Sequence, residues 1–141
     1  MSSTISNTIT AGITLGSGTF SSPLTVTSTG YIDNTGTGDA IYGPNTQAWA
    51  VYNGGRIVAT DPAGDGIDFE NGGYVDNAGT IKGGDDGIFI TGAAGTVTNS
   101  GAIIGTSFEG IRLQDGGSVD NTGTGLISGP RGVSSMAPPA P

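Results

Sequence analysis

Val75-Asp76-Asn77, Val97-Thr98-Asn99 and Val119-Asp120-Asn121 repeat one phrase at a spacing of 22 residues: a β-branched aliphatic residue, a variable residue, then asparagine. Toward the N-terminus the phrase recurs as Val51-Tyr52-Asn53, Ile32-Asp33-Asn34 and Ile5-Ser6-Asn7, at the more ragged intervals of 24, 19 and 27 residues. A recurrence in this range signals stacked structural units rather than one globular core. From Val75 onward each unit resolves into three apolar pulses, of which the phrase is the first. The second is an apolar residue before glycine, in Thr80-Ile81-Lys82-Gly83, Ala102-Ile103-Ile104-Gly105 and Leu126-Ile127-Ser128-Gly129. The third follows another glycine, in Gly66-Ile67-Asp68-Phe69, Gly87-Ile88-Phe89-Ile90, Gly110-Ile111-Arg112-Leu113 and the truncated Gly132-Val133-Ser134. Short period-two pulses between glycine corners predict three strands per coil of an all-β parallel β-helix, a β-solenoid of about six coils. Like residues of successive coils then stand about 4.8 Å apart.

The earlier units bend this template. Ala40-Ile41-Tyr42-Gly43 is read as a middle strand, Ala48-Trp49-Ala50 runs directly into Val51, and Asp61-Pro62-Ala63-Gly64 lengthens a corner. The expected organisation is a solenoid over residues 1–135, with 1–28 as an N-terminal capping coil whose open end Phe20 plugs, and 29–135 as repeats. Residues 136–141 are expected to be a disordered tail, because Pro138, Pro139 and Pro141 cannot join a ladder.

Composition narrows the function. The chain has 141 residues, 28 of them glycine, with 11% charged residues and neither histidine nor cysteine. Aliphatic residues hold fixed places between the glycines, which disordered polar tracts do not show. A net charge of −8, with Arg56, Lys82, Arg112 and Arg131 scattered singly, argues against nucleic-acid or anionic-membrane partners. No apolar run approaches the roughly 18 residues that span a bilayer, so this segment is not expected to insert in a membrane. No basic start followed by an apolar stretch marks a secretory leader in these residues. Without His and Cys there is no Ser-His-Asp or Cys-His arrangement and no usual zinc site. No phosphate-cradling glycine motif occurs, and the acids are dispersed rather than paired across a cleft. No catalytic residue, no cofactor and no enzymatic activity are therefore expected.

Three sets of residues stand out. Within the phrase, Val and Asn lie two apart and point inward, so Asn7, Asn34, Asn53, Asn77, Asn99 and Asn121 are expected to form a structural ladder in which each amide bonds the next. Asp65, Asp86 and Glu109 each precede the glycine that opens a third strand, with Arg131 in the same place one coil on. A column of carboxylates about 5 Å apart could be bridged by a cation such as calcium. The preferred reading is of solvated corner residues relieved by Arg112 and Arg131, with no metal. Asp33, Asp76 and Asp120 suggest a second, interrupted surface column. Trp49, Phe89, Tyr52 and Tyr74 are expected on the outer face, where they could meet a glycan or a protein.

The run Gly73 to Gly132, with Gly-Thr-Val-Thr-Asn-Ser-Gly-Ala-Ile-Ile-Gly and Gly-Gly-Ser-Val-Asp-Asn-Thr-Gly, resembles the repeats in passenger domains of bacterial autotransporters. The opening, Ile9-Thr10-Ala11-Gly12-Ile13-Thr14-Leu15-Gly16 and then Ser22-Pro23-Leu24-Thr25-Val26, is similar to the capping start of such passengers. The resemblance implies a right-handed β-helix on the bacterial outer surface or in the extracellular space. It also implies a non-catalytic rigid scaffold or adhesin-type segment of a longer exported protein, whose leader and membrane anchor lie outside this stretch. Partners would be other copies of itself or a host or cell-surface ligand. Alternatives are a self-assembling, fibre-forming module, or a glycan- or ice-binding face. Ice binding would want Thr-x-Thr in register, yet Thr25/Thr27, Thr35/Thr37, Thr96/Thr98 and Thr122/Thr124 fall on non-equivalent strands.

Overall fold

The computed structural model describes residues 2–135, and every regular element among them is a strand. The first coil holds β1 (Ser3–Ile5), β2 (Thr8–Ile9) and β3 (Ile13–Thr14); the second β4 (Leu24–Val26), β5 (Tyr31–Asn34) and β6 (Ile41–Gly43). The third holds β7 (Trp49–Asn53), β8 (Arg56–Ala59) and β9 (Ile67–Phe69); the fourth β10 (Gly73–Asn77), β11 (Thr80–Gly83) and β12 (Ile88–Ile90). The fifth holds β13 (Gly95–Asn99), β14 (Ala102–Gly105) and β15 (Glu109–Leu113); the sixth β16 (Gly117–Asn121), β17 (Leu126–Ser128) and β18 (Gly132–Ser135). First, second and third strands stack separately into three six-stranded parallel sheets, β1-β4-β7-β10-β13-β16, β2-β5-β8-β11-β14-β17 and β3-β6-β9-β12-β15-β18. This is the β-solenoid that the three pulses per unit predict. The expected tail, 136–141, lies outside the described residues.

Alternation decides which side chains enter. In β12, Ile88 and Ile90 are fully buried while Phe89 between them faces outward. Stacking turns each inward position into a column: Ile32, Ile57, Ile81 and Ile103 in the second sheet, Ile41, Ile67, Ile88 and Ile111 in the third. All eight are fully buried, so identical β-branched residues pack on one another from the second coil to the fifth.

The register of the early coils departs from the sequence reading. Ile32-Asp33-Asn34 belongs to the second strand of its coil, with Ile32 opposite Ile57 and Asn34 opposite Ala59. The first strand of that coil is Leu24-Thr25-Val26, inside the stretch assigned to the cap, and Val26 stands opposite both Ile5 and Asn53. Ile41-Tyr42-Gly43 is accordingly a third strand. Phe20 is partly buried against the core, its carbonyl accepting the Gly16 N–H at 2.8 Å.

Trp49 also corrects an expectation. It lies two before Val51, so the alternation of β7 turns it inward, where it is 3% exposed. Its Nε1 donates to the Pro44 carbonyl at 2.6 Å. Gly16 and Gly43 leave room for the ring, since a Cβ on either would meet it at 2.6 or 2.5 Å. Trp49→Phe is expected to cost roughly 1–3 kcal/mol, from lost volume and an orphaned carbonyl, read as a lower urea midpoint.

At the other end the stack lies open. No described residue covers the free edges of β16, β17 and β18, and Leu126 and Val133 are 52% and 44% exposed.

Candidate functional site

Two polar columns run inside the solenoid, one at each of two corners. The first lies where the first sheet turns into the second. Asn53 Nδ2 donates to Asn77 Oδ1 at 2.8 Å, Asn77 to Asn99 at 2.9 Å, and Asn99 to Asn121 at 2.9 Å. The same Nδ2 atoms donate to carbonyls of their own corner and of the next coil, as Asn77 does to Gly79 at 3.2 Å and Ala102 at 3.1 Å. Buried amides in this column thus have their hydrogen-bonding capacity met.

Asn34 and Asn7 do not join it. Asn34 is buried at the corner between the second and third sheets, where Nδ2 donates to the carbonyls of Thr37, Gly38 and Asp39 and Oδ1 accepts the Gly36 N–H. The local chemistry matches Asn53, whose Oδ1 accepts the Gly55 N–H. An Asn-x-Gly corner can therefore close either turn, which is why the phrase marks the corner and not the strand. Asn7 lacks a glycine two residues on, and its side chain is exposed.

The second column is acidic and fills the corner between second and third sheets. Asp65, Asp86 and Glu109 are 6, 1 and 4% exposed, so the expected solvated corner is not what the fold builds. Three carboxylates turn into the stack to accept a main-chain N–H from the coil above: Asp39 from Asp65 at 2.8 Å, Asp65 from Asp86 at 2.9 Å, and Asp86 from Glu109 at 2.8 Å. Asp39 thus extends the column by one coil. It is hidden in the sequence because Ala40 stands where later coils have glycine. Arg112 and Arg131 approach Asp86 and Glu109 only at 3.8 and 4.0 Å, from exposed positions.

The acids around this corner titrate unusually. Burial, against the pull of the Asp86 N–H and reinforced by the charges of Asp39, Asp86 and Asp68, pushes Asp65 up to about 8. Burial with the charges of Asp39 and Glu70 pushes Asp68 to about 7, and burial raises Asp86 to about 6. Asp39 and Asp85 also rise, chiefly from burial. Asp61 at the same corner moves the other way, because the N–H groups of Gly38 and Ala63 bond its carboxylate. Tyr42 donates to Glu70 at 2.6 Å, and this bond raises its phenol to about 12.

Carboxylate oxygens of Asp39, Asp65 and Asp68 lie within 4.8 Å of one another, as do those of Asp65, Asp85 and Asp86. Those separations would suit a hard, oxygen-seeking cation. Asp65 and Asp86 each already give one oxygen to a main-chain donor, and no metal ligand is assigned to them. Glu109, the third candidate read from the sequence, falls in neither group.

The outer face is less organised. Tyr52 and Tyr74 stand with ring centroids 5.7 Å apart on the first sheet. On or beside the third, Arg112 lies over Phe89 at 4.7 Å and Arg131 over Phe108 at 4.9 Å. Thr98 stands between Asp76 and Asp120, whereas Asp33 lies on β5 opposite Val58, outside that surface column. Thr25 and Thr96 sit on β4 and β13, while Thr35 and Thr122 fall in corners. Two surface depressions, of about 300 and 280 Å³, contain Asp76 and Lys82 as their respective charged groups and no pair of carboxylates. Compared with known proteins, the chain matches no family model, no curated protein and no solved structure.

Proposed function

We propose that the chain is a non-catalytic structural β-solenoid, a rigid scaffold or adhesin-type passenger segment of an exported bacterial protein displayed on the outer surface. The observation that carries this reading is the destination of its polar groups. Both internal columns use asparagines and acids to hold one coil to the next, and among the described residues nothing covers the edges of β16, β17 and β18. A solenoid built this way resists bending, because its sheets, side-chain columns and backbone ladder all run along one axis. An antibody against the solenoid is expected to label intact, unpermeabilised cells of the source bacterium, and external protease should strip that label. Labelling that requires lysis would overturn the surface role.

A second reading, self-assembly through the open end, draws on the exposure of Leu126 and Val133. Sedimentation that shows association growing with concentration, and lost on Leu126→Lys, would support it. A strictly monomeric chain at high concentration would overturn it.

A further inference from the structure

The acidic corner contains two oxygens that the rest of the fold leaves without a donor. Among the described residues, the buried side-chain atoms lacking any hydrogen bond are Asp68 Oδ1 and Glu109 Oε2. Asp68 stands against a second carboxyl, that of Asp39, with oxygens of the two within 4.8 Å of each other. The main-chain N–H groups in reach are already taken: those of Asp65, Asp86 and Glu109 go to the oxygens of Asp39, Asp65 and Asp86. Ser134 Oγ gives its proton to the other oxygen of Glu109, at 3.1 Å. A buried acceptor without a donor is costly, and a carboxyl can become a donor in one way, by holding its proton.

We propose that this corner is a proton-storing column in which Asp68 shares a proton with Asp39, so that the solenoid is more stable in mild acid than in mild alkali. The groups facing the column come from every strand that packs on it. Tyr42 and Glu70 flank β6 and β9, Asp61 and Asp85 lie in the corner itself, and Arg112 and Arg131 approach from β15 and the turn before β18. The two arginines are the cations that approach these acids within 4.0 Å, and at 42% and 65% exposure they are too solvated to neutralise a buried row. Two carboxylates forced together titrate as a pair that retains one proton.

The direction of the pH effect follows from the folded values. Asp65, Asp68 and Asp86 are raised from 3.8 to about 8, about 7 and about 6, so between those limits the native state holds more protons than the unfolded chain. Stability contributed this way is complete below the unfolded value and is lost as pH rises through the folded ones. Asp61, shifted downward, acts only below 3.8, and Tyr42 only near 12, both outside the window.

Thermal melts of the full chain in chelator-containing buffer test the proposal. The melting temperature is expected to fall on the order of 5 to 10 °C between about pH 5.5 and about pH 8.5. Asp68→Asn, whose amide is a permanent donor to Asp39, should melt near the wild-type temperature in acid and lose less on going to alkali. A potentiometric titration of native against denaturant-unfolded chain supplies a reading independent of any variant, and should show extra protons on the native state near neutrality. A melting temperature that is flat or rises with pH, an equal proton count in the two states, or an alkaline loss fully restored by added calcium would each overturn the proposal. The last of these would mark the corner as a cation site.

Discussion

Asn99→Leu is expected to lower the stability of the solenoid by roughly 3–5 kcal/mol. Asn99 is fully buried and sits in the middle of four stacked amides. Leucine keeps the branched outline but is bulkier, so lost hydrogen bonds are joined by some overpacking. The Asn121 Oδ1 and the Leu126 carbonyl lose the Asn99 donor, at 2.9 and 3.1 Å, and the Gly101 carbonyl, 3.2 Å away, is left with the Leu126 N–H alone. Asn77 loses the acceptor that holds it in line, though it keeps two carbonyls. Asn7→Leu supplies the contrast, since that side chain is exposed and the change should stay within about 0.5 kcal/mol. Urea unfolding of the two variants decides the matter. Equal midpoints would mean that the column contributes nothing beyond what any surface asparagine does.

Gly83→Ala is expected to be at least as damaging, roughly 4 kcal/mol or more, and to reduce the yield of folded protein. A Cβ there would meet the Asp86 carbonyl oxygen at 1.7 Å and the Gly66 nitrogen at 2.7 Å. Both are main-chain atoms, so no flexible side chain can yield. The Asp86 carbonyl accepts the Gly66 N–H at 3.1 Å, and moving it would open the link between the third and fourth coils. Gly105 repeats the situation one coil on, its Cβ meeting the Glu109 carbonyl oxygen at 1.8 Å. Gly54→Ala is the control, with its nearest contact at 3.6 Å, and should leave the denaturation midpoint nearly unchanged. If both alanine variants unfold at the wild-type midpoint, the corners are looser than this geometry requires.

The strands were legible because their alternation is local. Ile88-Phe89-Ile90 and Ile111-Arg112-Leu113 announce inward and outward faces without reference to anything else in the chain. The register of the first coils was not, because it was anchored on asparagine. Asn34 and Asn53 make the same bond to the glycine nitrogen two residues ahead, at different corners. A reading anchored on the buried aliphatic columns, with Ile32 placed beside Ile57, avoids that slip. Trp49 was misplaced for a related reason: its position two before Val51 fixes its direction, whatever its size. The burial of Asp65, Asp86 and Glu109 had no local signal at all. Asp65 and Asp86 accept main-chain N–H groups 21 and 23 residues away and Glu109 accepts the Ser134 hydroxyl 25 residues away, so a column of acids reads as a wet surface until the coil above is in place. Asp39 escaped notice for want of the glycine that marks the others, and Asp68 because it stands mid-strand on β9, where its neighbours in the stack are Tyr42 and Phe89.

The asparagine column has a direction. Asn53, Asn77 and Asn99 each hand a hydrogen upward, and Asn77, Asn99 and Asn121 each receive one from below, so the row is a chain of dipoles with a donor at its upper end. At that end, Asn121 accepts from Asn99 and gives one hydrogen to its own corner, at Gly125. Whatever sits on the sixth coil therefore meets a one-sided request for an acceptor. A coil carrying asparagine at that position answers it and passes the request on. A second copy stacked head to tail in register would present Ile5, the residue that begins this column at the other end, and would bury the remaining hydrogen against a hydrocarbon. The polarity of the ladder thus sets a preference at its upper end: an asparagine placed over Asn121 keeps the chain of bonds, and a hydrocarbon there breaks it.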